Sequence, residues 1–148
     1  MRDRFRKSVH PLLLGMMPSK RDFELEILNN MPPVHGNKIF VINHTNAHDG
    51  PVACEAIQEH FYVLVGKQRL EFIDRIFFRL DGVVYVDRKN KKSKAKSLAK
   101  MQHLLRTGRN LLMCPEGSWN ITPSKPLNPL NWGVIELSKV RECRLFLW

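Results

Sequence analysis

From residue 38 onward, short continuous apolar runs alternate with longer stretches whose apolar residues recur every three or four positions. "KIFVIN" (38–43), "FYVLVG" (61–66), "GVVYVDR" (82–88) and "NLLMCPEG" (110–117) are runs of the first kind. They predict strands buried on both faces, the last of them ending in a turn. Between them lie "PVACEAIQEH" (51–60), with Pro51 suited to a first helical turn, and "LEFIDRIFFRL" (70–80), with one apolar face. "SKAKSLAKMQHLLRTG" (93–108) sets Ala95, Leu98, Met101 and Leu105 on one stripe, and Gly108 predicts its stop. "WGVIELSKV" (132–140) predicts a last helix and "RLFLW" (144–148) a fifth strand. Strands separated by helices predict an α/β fold, a mostly parallel sheet flanked by helices.

The first 37 residues break this rhythm. Phe5, Val9, Leu12, Leu13 and Met16 fall at helical spacing beside Arg2, Arg4, Arg6 and Lys7, and Pro11 predicts a break in any long helix there. Such a basic amphipathic segment either lies on a membrane surface or packs on its own domain. "NNMPPVHGN" (29–37) reads as the loop that ends it. The pattern therefore divides the chain into a leader and loop, residues 1–37, and an α/β domain, residues 38–148. The eight-residue run "PLLLGMMP" is interrupted by glycine and no small-residue cleavage site follows, which argues against a secretory signal. No 18-residue apolar run is present to span a bilayer as a helix.

Composition changes this picture in one respect. The 148 residues are 43% hydrophobic and 26% charged, which is ordinary, but the net charge of +10 favours anionic partners. Cys54, Cys114 and Cys143 have no CxxC spacing and lie in or beside apolar runs, so they read as buried free thiols.

Chemistry concentrates after the strands: "NHTNAHD" after the first, "GKQR" after the second, "DR" after the third, "PEGSWN" after the fourth. In open α/β sheets, sites form beyond the carboxyl ends of strands. His44, His48 and Asp49 invite a metal reading. However, His44 closes a strand, no glutamate follows it, and no cysteine stands at ligand spacing, so the segment points away from a metal. The alternative is a base. An imidazole takes a proton from a hydroxyl most effectively when a carboxylate holds its other nitrogen. A tight turn can fold Asp49 back onto His44. No GxSxG elbow supplies a nucleophile, and Ser118 reads as a turn or cap residue. A base with its orienter and no protein nucleophile implies that the substrate brings the nucleophile, as in direct acyl transfer to an alcohol.

These segments carry a resemblance. "NHTNAHDGP" (43–51) resembles the His-x4-Asp motif of the glycerolipid acyltransferases, the lysophosphatidic acid acyltransferase family. "GVVYVDR" resembles the second block, which ends in a substrate-binding arginine, and "CPEGSWN" (114–120) the third, a Pro-Glu-Gly-Ser/Thr turn. The run from Gly66 to Arg88, with Lys67, is similar to the family's stretch between the first and second blocks, and "KPLNPLNWGVIELSK" (125–139) to the start of its fourth region. The resemblance spans about residues 38–140.

What it implies agrees with the residue reading. The fold expected is glycerol-3-phosphate acyltransferase-like. An acyl chain would pass from a thioester, acyl-CoA or acyl carrier protein, to the free hydroxyl of a lysophospholipid such as 1-acyl-glycerol-3-phosphate, in phospholipid biosynthesis. No metal and no cofactor beyond the donor are expected. His44 would deprotonate the hydroxyl and Asp49 orient it, Arg88 and Lys67 would hold the acceptor phosphate, and Glu116, Gly117 and Ser118 would shape the acceptor pocket. His48 is expected either to line the site or to serve the loop alone. Two departures stand out. Trp119 occupies a position where the family often carries arginine, removing one expected phosphate contact. The chain also stops soon after "SKVRECRLFLW", where the family fold continues, so the expectation is a domain lacking its C-terminal part and weakly active.

From Arg88 to Arg109 there are nine Lys or Arg and no Asp or Glu. No nucleic-acid-binding motif surrounds this run and no aromatics interleave it, so nucleic acid is not an expected partner. Anionic headgroups fit better, at about 1 kcal/mol per basic residue near the surface, which places the protein peripherally on the cytoplasmic face of a membrane. The rival reading is a non-catalytic basic module that docks on anionic membrane or RNA.

Overall fold

The computed structural model describes residues 2–15, 37–46, 49–57, 59–67, 76, 79–122, 124–140 and 143–147. Its elements are α1 (Arg2–Gly15), β1 (Asn37–Val41), α2 (Asp49–Ile57), β2 (Phe61–Gly66), β3 (Val83–Val86), α3 (Lys91–Arg106), β4 (Asn110–Met113), α4 (Gly133–Ser138) and β5 (Cys143–Leu147). The strands form one five-stranded sheet in the order β3-β2-β4-β1-β5. Every pairing is parallel, with Ile39 opposite Leu111, Val63 opposite both Leu112 and Val83, and Ile39 also opposite Leu145.

Strand side chains alternate between the two faces, so neighbouring residues enter different cores. Ile39, Val41, Tyr62, Leu111 and Met113 pack under Met101, Leu104 and Leu105 of α3 and Val134 and Leu137 of α4. Phe40, Ile42, Phe61 and Leu112 pack under Ala53, Cys54 and Ile57 of α2. Apolar cover on both faces is why the strands read as unbroken apolar runs.

Several expectations shift. The helix expected from Pro51 begins at Asp49, which precedes the proline and carries a negative charge at the helix's positive end. The stripe of α3 rotates: Ala95 is exposed and Ser97 is buried in its stead. Ser97 can enter the interior because its hydroxyl is shared with the carbonyls of Tyr85 and Ser93, at 2.7 and 2.8 Å. Asn90 caps α3, its side chain accepting from the Ser93 N–H. Of the stretch 70–80, Ile76, Arg79 and Leu80 are described and all are helical. The fifth strand is present at Cys143–Leu147, on the sheet edge beside β1.

In the leader, α1 runs through Pro11 instead of breaking there. The proline removes one N–H, and the carbonyl of Lys7 that would have received it belongs to an exposed residue within reach of water. Tertiary contacts hold the helix. Arg6 donates to the Tyr62 hydroxyl at 2.8 Å and lies 5.3 Å from its ring centroid. His10 is buried, with Nδ1 2.6 Å from Asp81 Oδ1. The packed face is thus Arg6 and His10, while Phe5 and Leu12 of the apolar stripe stay exposed. Met16 lies outside the described residues.

Candidate active site

The chain leaves β1 toward β2 on one side of the sheet and leaves β4 toward β5 on the other, although β1 and β4 are neighbours. Such a reversal opens a crevice at the carboxyl ends of the two strands. The loops that meet there are "NHTN" after β1 and "CPEGSWN" after β4, and they are tied directly. The His44 N–H donates to Glu116 Oε1 at 2.8 Å, and the Asn120 N–H donates to the His44 carbonyl at 2.6 Å.

Asp49 organises the first loop. Its Oδ2 accepts from the His44 ring Nδ1 at 2.9 Å and from the N–H groups of Thr45 and Asn46 at 2.7 and 3.0 Å, and its Oδ1 accepts from the Thr45 hydroxyl at 2.7 Å. Burial pushes the Asp49 carboxyl up. The hydrogen bonds from the Thr45 hydroxyl, the His44 ring and the two backbone N–H groups outweigh it and hold the group below the usual carboxylate range. An ionised carboxylate only accepts, so Nδ1 of His44 is the donor in this pair and Nε2 is the ring nitrogen turned away from Asp49. The His44 side chain is 27% exposed, so its base is reachable.

Glu116 is buried, and both of its oxygens serve the protein's own backbone. Oε1 holds the His44 N–H and Oε2 accepts from the Asn128 N–H at 2.9 Å. It straps the base loop to the segment that follows β4. Gly117 beside it has φ +77°, a conformation that side chains disfavour. A Cβ there would lie 3.0 Å from Asn131 Nδ2 and 3.4 Å from the Arg88 guanidinium. A Cβ on Gly66 would lie 3.4 Å from another Arg88 nitrogen. The guanidinium of Arg88 therefore sits between the end of β2 and the turn after β4, brought there by two residues without side chains. Lys67 follows β2, exposed, its N–H donating to the Val86 carbonyl at 2.8 Å. Ser118 is exposed, and among the described residues no hydrogen bond links it to His44. His48 lies outside the described residues.

Among the described residues Cys114 is the thiol near this crevice. Burial and the charges of Asp49 and Glu116 push it up to about 12, against the pull of Arg88. At that value almost no thiolate forms near neutrality, so it is a poor nucleophile. Cys54, under the sheet, is likewise pushed up to about 12 by burial and by Asp81 and Glu55. Among the described residues no three His, Cys, Asp or Glu side chains gather as a metal site, and no helix is long and apolar enough to cross a membrane.

Sequence reasoning missed Thr45, Asn46, Asn128 and Asn131. The first two follow His44 directly, and residues of their type commonly bond within turns, so a signal was present. Asn128 and the Asn131 side chain, which donates to the Pro115 carbonyl at 2.7 Å, had none.

A part-exposed imidazole with an ionised orienter, at the switch point of a doubly covered parallel sheet, is an arrangement that can take a proton from a hydroxyl. The family model described as Acyltransferase matches residues 22–141. The chain belongs to that acyltransferase family, and acyl transfer between a donor and an acceptor is its chemistry. No curated protein sequence matches the chain as a relative.

Proposed function

We propose that this acyltransferase esterifies the free hydroxyl of a lysophospholipid, 1-acyl-glycerol-3-phosphate above all, using a fatty acyl thioester of CoA or acyl carrier protein. The observation that carries the reading is the His44–Asp49 pair at 2.9 Å with the Arg88 guanidinium seated against Gly66 and Gly117. His44 Nε2 takes the acceptor hydroxyl proton as the oxygen attacks the thioester carbon. The tetrahedral intermediate collapses, breaking the carbon–sulfur bond, and the imidazolium returns the proton to the leaving thiolate. Asp49 holds the ring and balances its transient charge. Arg88 and Lys67 receive the acceptor phosphate, the first as a planar fork, the second as a point charge. Glu116 keeps the base loop in register, and Gly117 and Ser118 border the acceptor. No metal or resident cofactor takes part. The protein works peripherally, on an anionic membrane surface at its cytoplasmic face, in phospholipid biosynthesis.

The test is thiol release from long-chain acyl-CoA and acyl carrier protein thioesters, with and without lysophosphatidate, with the lipid product identified by mass. The expected result is release that depends on the acceptor and yields phosphatidate. Equal release without acceptor, or transfer only to alcohols lacking a phosphate, overturns the reading.

A further inference from the structure

Beyond β4 the chain makes a long excursion that returns to its own start. The Asn131 N–H donates to the Pro115 carbonyl at 2.9 Å, closing the neck. Asn120 bonds the His44 carbonyl, and the Asn128 N–H bonds Glu116. Inside the excursion, the Asn120 side chain donates to the Lys125 carbonyl at 2.7 Å and accepts from the Thr122 N–H at 3.2 Å, and the Lys125 N–H donates to the Thr122 carbonyl at 3.1 Å. A segment so well bonded normally turns its apolar side chains inward. This one does the reverse: Trp119 is 53% exposed, Ile121 82%, Leu127 49%, Leu130 52% and Trp132 78%.

Five large apolar side chains held in water within 14 residues, fastened to the base loop, mark an interaction surface. We infer that this segment is the membrane anchor of the protein, inserting Trp119, Ile121, Leu127, Leu130 and Trp132 at the headgroup–acyl boundary of an anionic bilayer. The inference rests on the reading that the acceptor is a lipid. Three observations select a bilayer over another occupant. From Gly117 to Ile135 there is no Asp or Glu, Lys125 lies among the apolar residues, and the neighbouring Glu136 is paired with Lys139, so the segment itself carries no charge that repels anionic headgroups. Tryptophans stand at both ends of the patch, the residue type that favours the interface between water and hydrocarbon. The N–H groups of Asn120, Thr122, Lys125, Asn128 and Asn131 each donate to an oxygen of the protein itself, which suits a medium poor in water. A second copy of the chain fits worse, because each copy brings a net charge of +10 to the contact. Anchoring here also places His44, 6.2 Å from the Trp119 ring between centroids, at the depth of the headgroups.

The test uses the whole chain with Trp148→Phe, which leaves Trp119 and Trp132 as the emitters. Vesicles of phosphatidylcholine with phosphatidylglycerol, carrying brominated acyl chains, are expected to quench this emission. Ile121→Glu with Leu127→Glu is expected to lower partition onto these vesicles by about tenfold or more, with the melting temperature unchanged. Absent quenching, partition unaltered by the double change, or a concentration-dependent dimer that the double change dissolves would each overturn the inference. The two readings fail separately. Vesicle binding through this segment without lysophosphatidate acylation refutes the proposed function alone, and full acylation of vesicle-borne lysophosphatidate by the double variant refutes the anchor alone.

Discussion

The molecule holds two histidine–aspartate pairs at opposite edges of one sheet. At the carboxyl edge His44 Nδ1 lies 2.9 Å from Asp49, with side chains 27% and 14% exposed. At the amino edge His10 Nδ1 lies 2.6 Å from Asp81, with side chains 4% and 3% exposed. His60 joins the second pair, its Nε2–H donating to the Asp81 carbonyl at 2.6 Å. The partner atoms are the same, and the second pair is the shorter. What differs is the far nitrogen. In His44 it belongs to a part-exposed side chain at the strand ends; in His10 it is buried and, among the described residues, has no hydrogen-bond partner. A base that no substrate can reach does no chemistry, so the amino-edge cluster is a fastening between α1 and the sheet. The pair alone does not define a site. The strand edge, the access and the converging loops do.

The largest expected difference between the two edges is catalytic. His44→Ala should lower turnover by roughly 10²–10⁴-fold while leaving the unfolding midpoint nearly in place, and Asp49→Asn should follow with a smaller loss. His10→Ala should leave turnover per folded molecule intact. Paired kinetics and urea unfolding on the three variants read this contrast, and an active His44→Ala protein would sink the mechanism. The converse effect is on stability. Asp81→Asn removes the partner of a sealed cluster and should cost about 3 kcal/mol, read from the urea midpoint, with the Michaelis constants unchanged.

Arg88→Ala sharpens the carboxyl edge. Loss of a charge-assisted contact to phosphate costs about 1.5–3 kcal/mol, and it should appear as a raised KM for lysophosphatidate with the KM for the acyl donor kept. Equal rises for donor and acceptor would count against the phosphate role.

Acidification should separate the edges by pH window. Burial depresses His60 below its ordinary value, with the Asp81 carbonyl and charge opposing it and His10 and Arg6 adding to the depression. The unfolded chain therefore takes up this proton first. Stability is complete above about pH 6.5 and falls as pH drops below it, by at most about 1.4 kcal/mol per pH unit from this group. His60→Gln should flatten that slope. Asp49 is depressed too, but as a carboxylate its contribution persists down to about pH 4 and is lost below, as the pH falls through its folded value. Denaturant midpoints between pH 8 and 3 would show two steps, and a wild-type midpoint flat from pH 7 to 5 would remove His60 from the account. The smallest effect is near zero. With thiols pushed up to about 12, Cys54 and Cys114 should resist alkylation at pH 8, where only about one thiol in ten thousand ionises. Peptide mapping after iodoacetamide checks it.

The strands were legible because a sheet covered on both faces makes each one an apolar run; β2 falls at Phe61–Gly66 as its run predicts. The His44–Asp49 pair was legible for a related reason: five residues and one turn join them, so sequence order nearly equals spatial order. The same local logic located Arg88, at the end of its strand. It failed where a distant partner changed what a residue could tolerate. Ser97 enters the core because the Tyr85 carbonyl receives its hydroxyl, and α1 continues past Pro11 because Arg6 and His10 are held by Tyr62 and Asp81.

By itself, then, the sequence determined the element types, the parallel α/β class and the pairing of His44 with Asp49, all consequences of periodicity and short-range turns. The tertiary structure alone decided the strand order β3-β2-β4-β1-β5 and, through it, which loops share a crevice. It alone joined His10 to Asp81 across 71 positions, consumed both oxygens of Glu116 on backbone 72 and 12 residues away, and left Trp119, Ile121, Leu127, Leu130 and Trp132 facing water. Periodicity encodes how deeply a residue is buried along its own element. It carries no record of which element lies alongside, because that choice is made by the packing of the whole sheet.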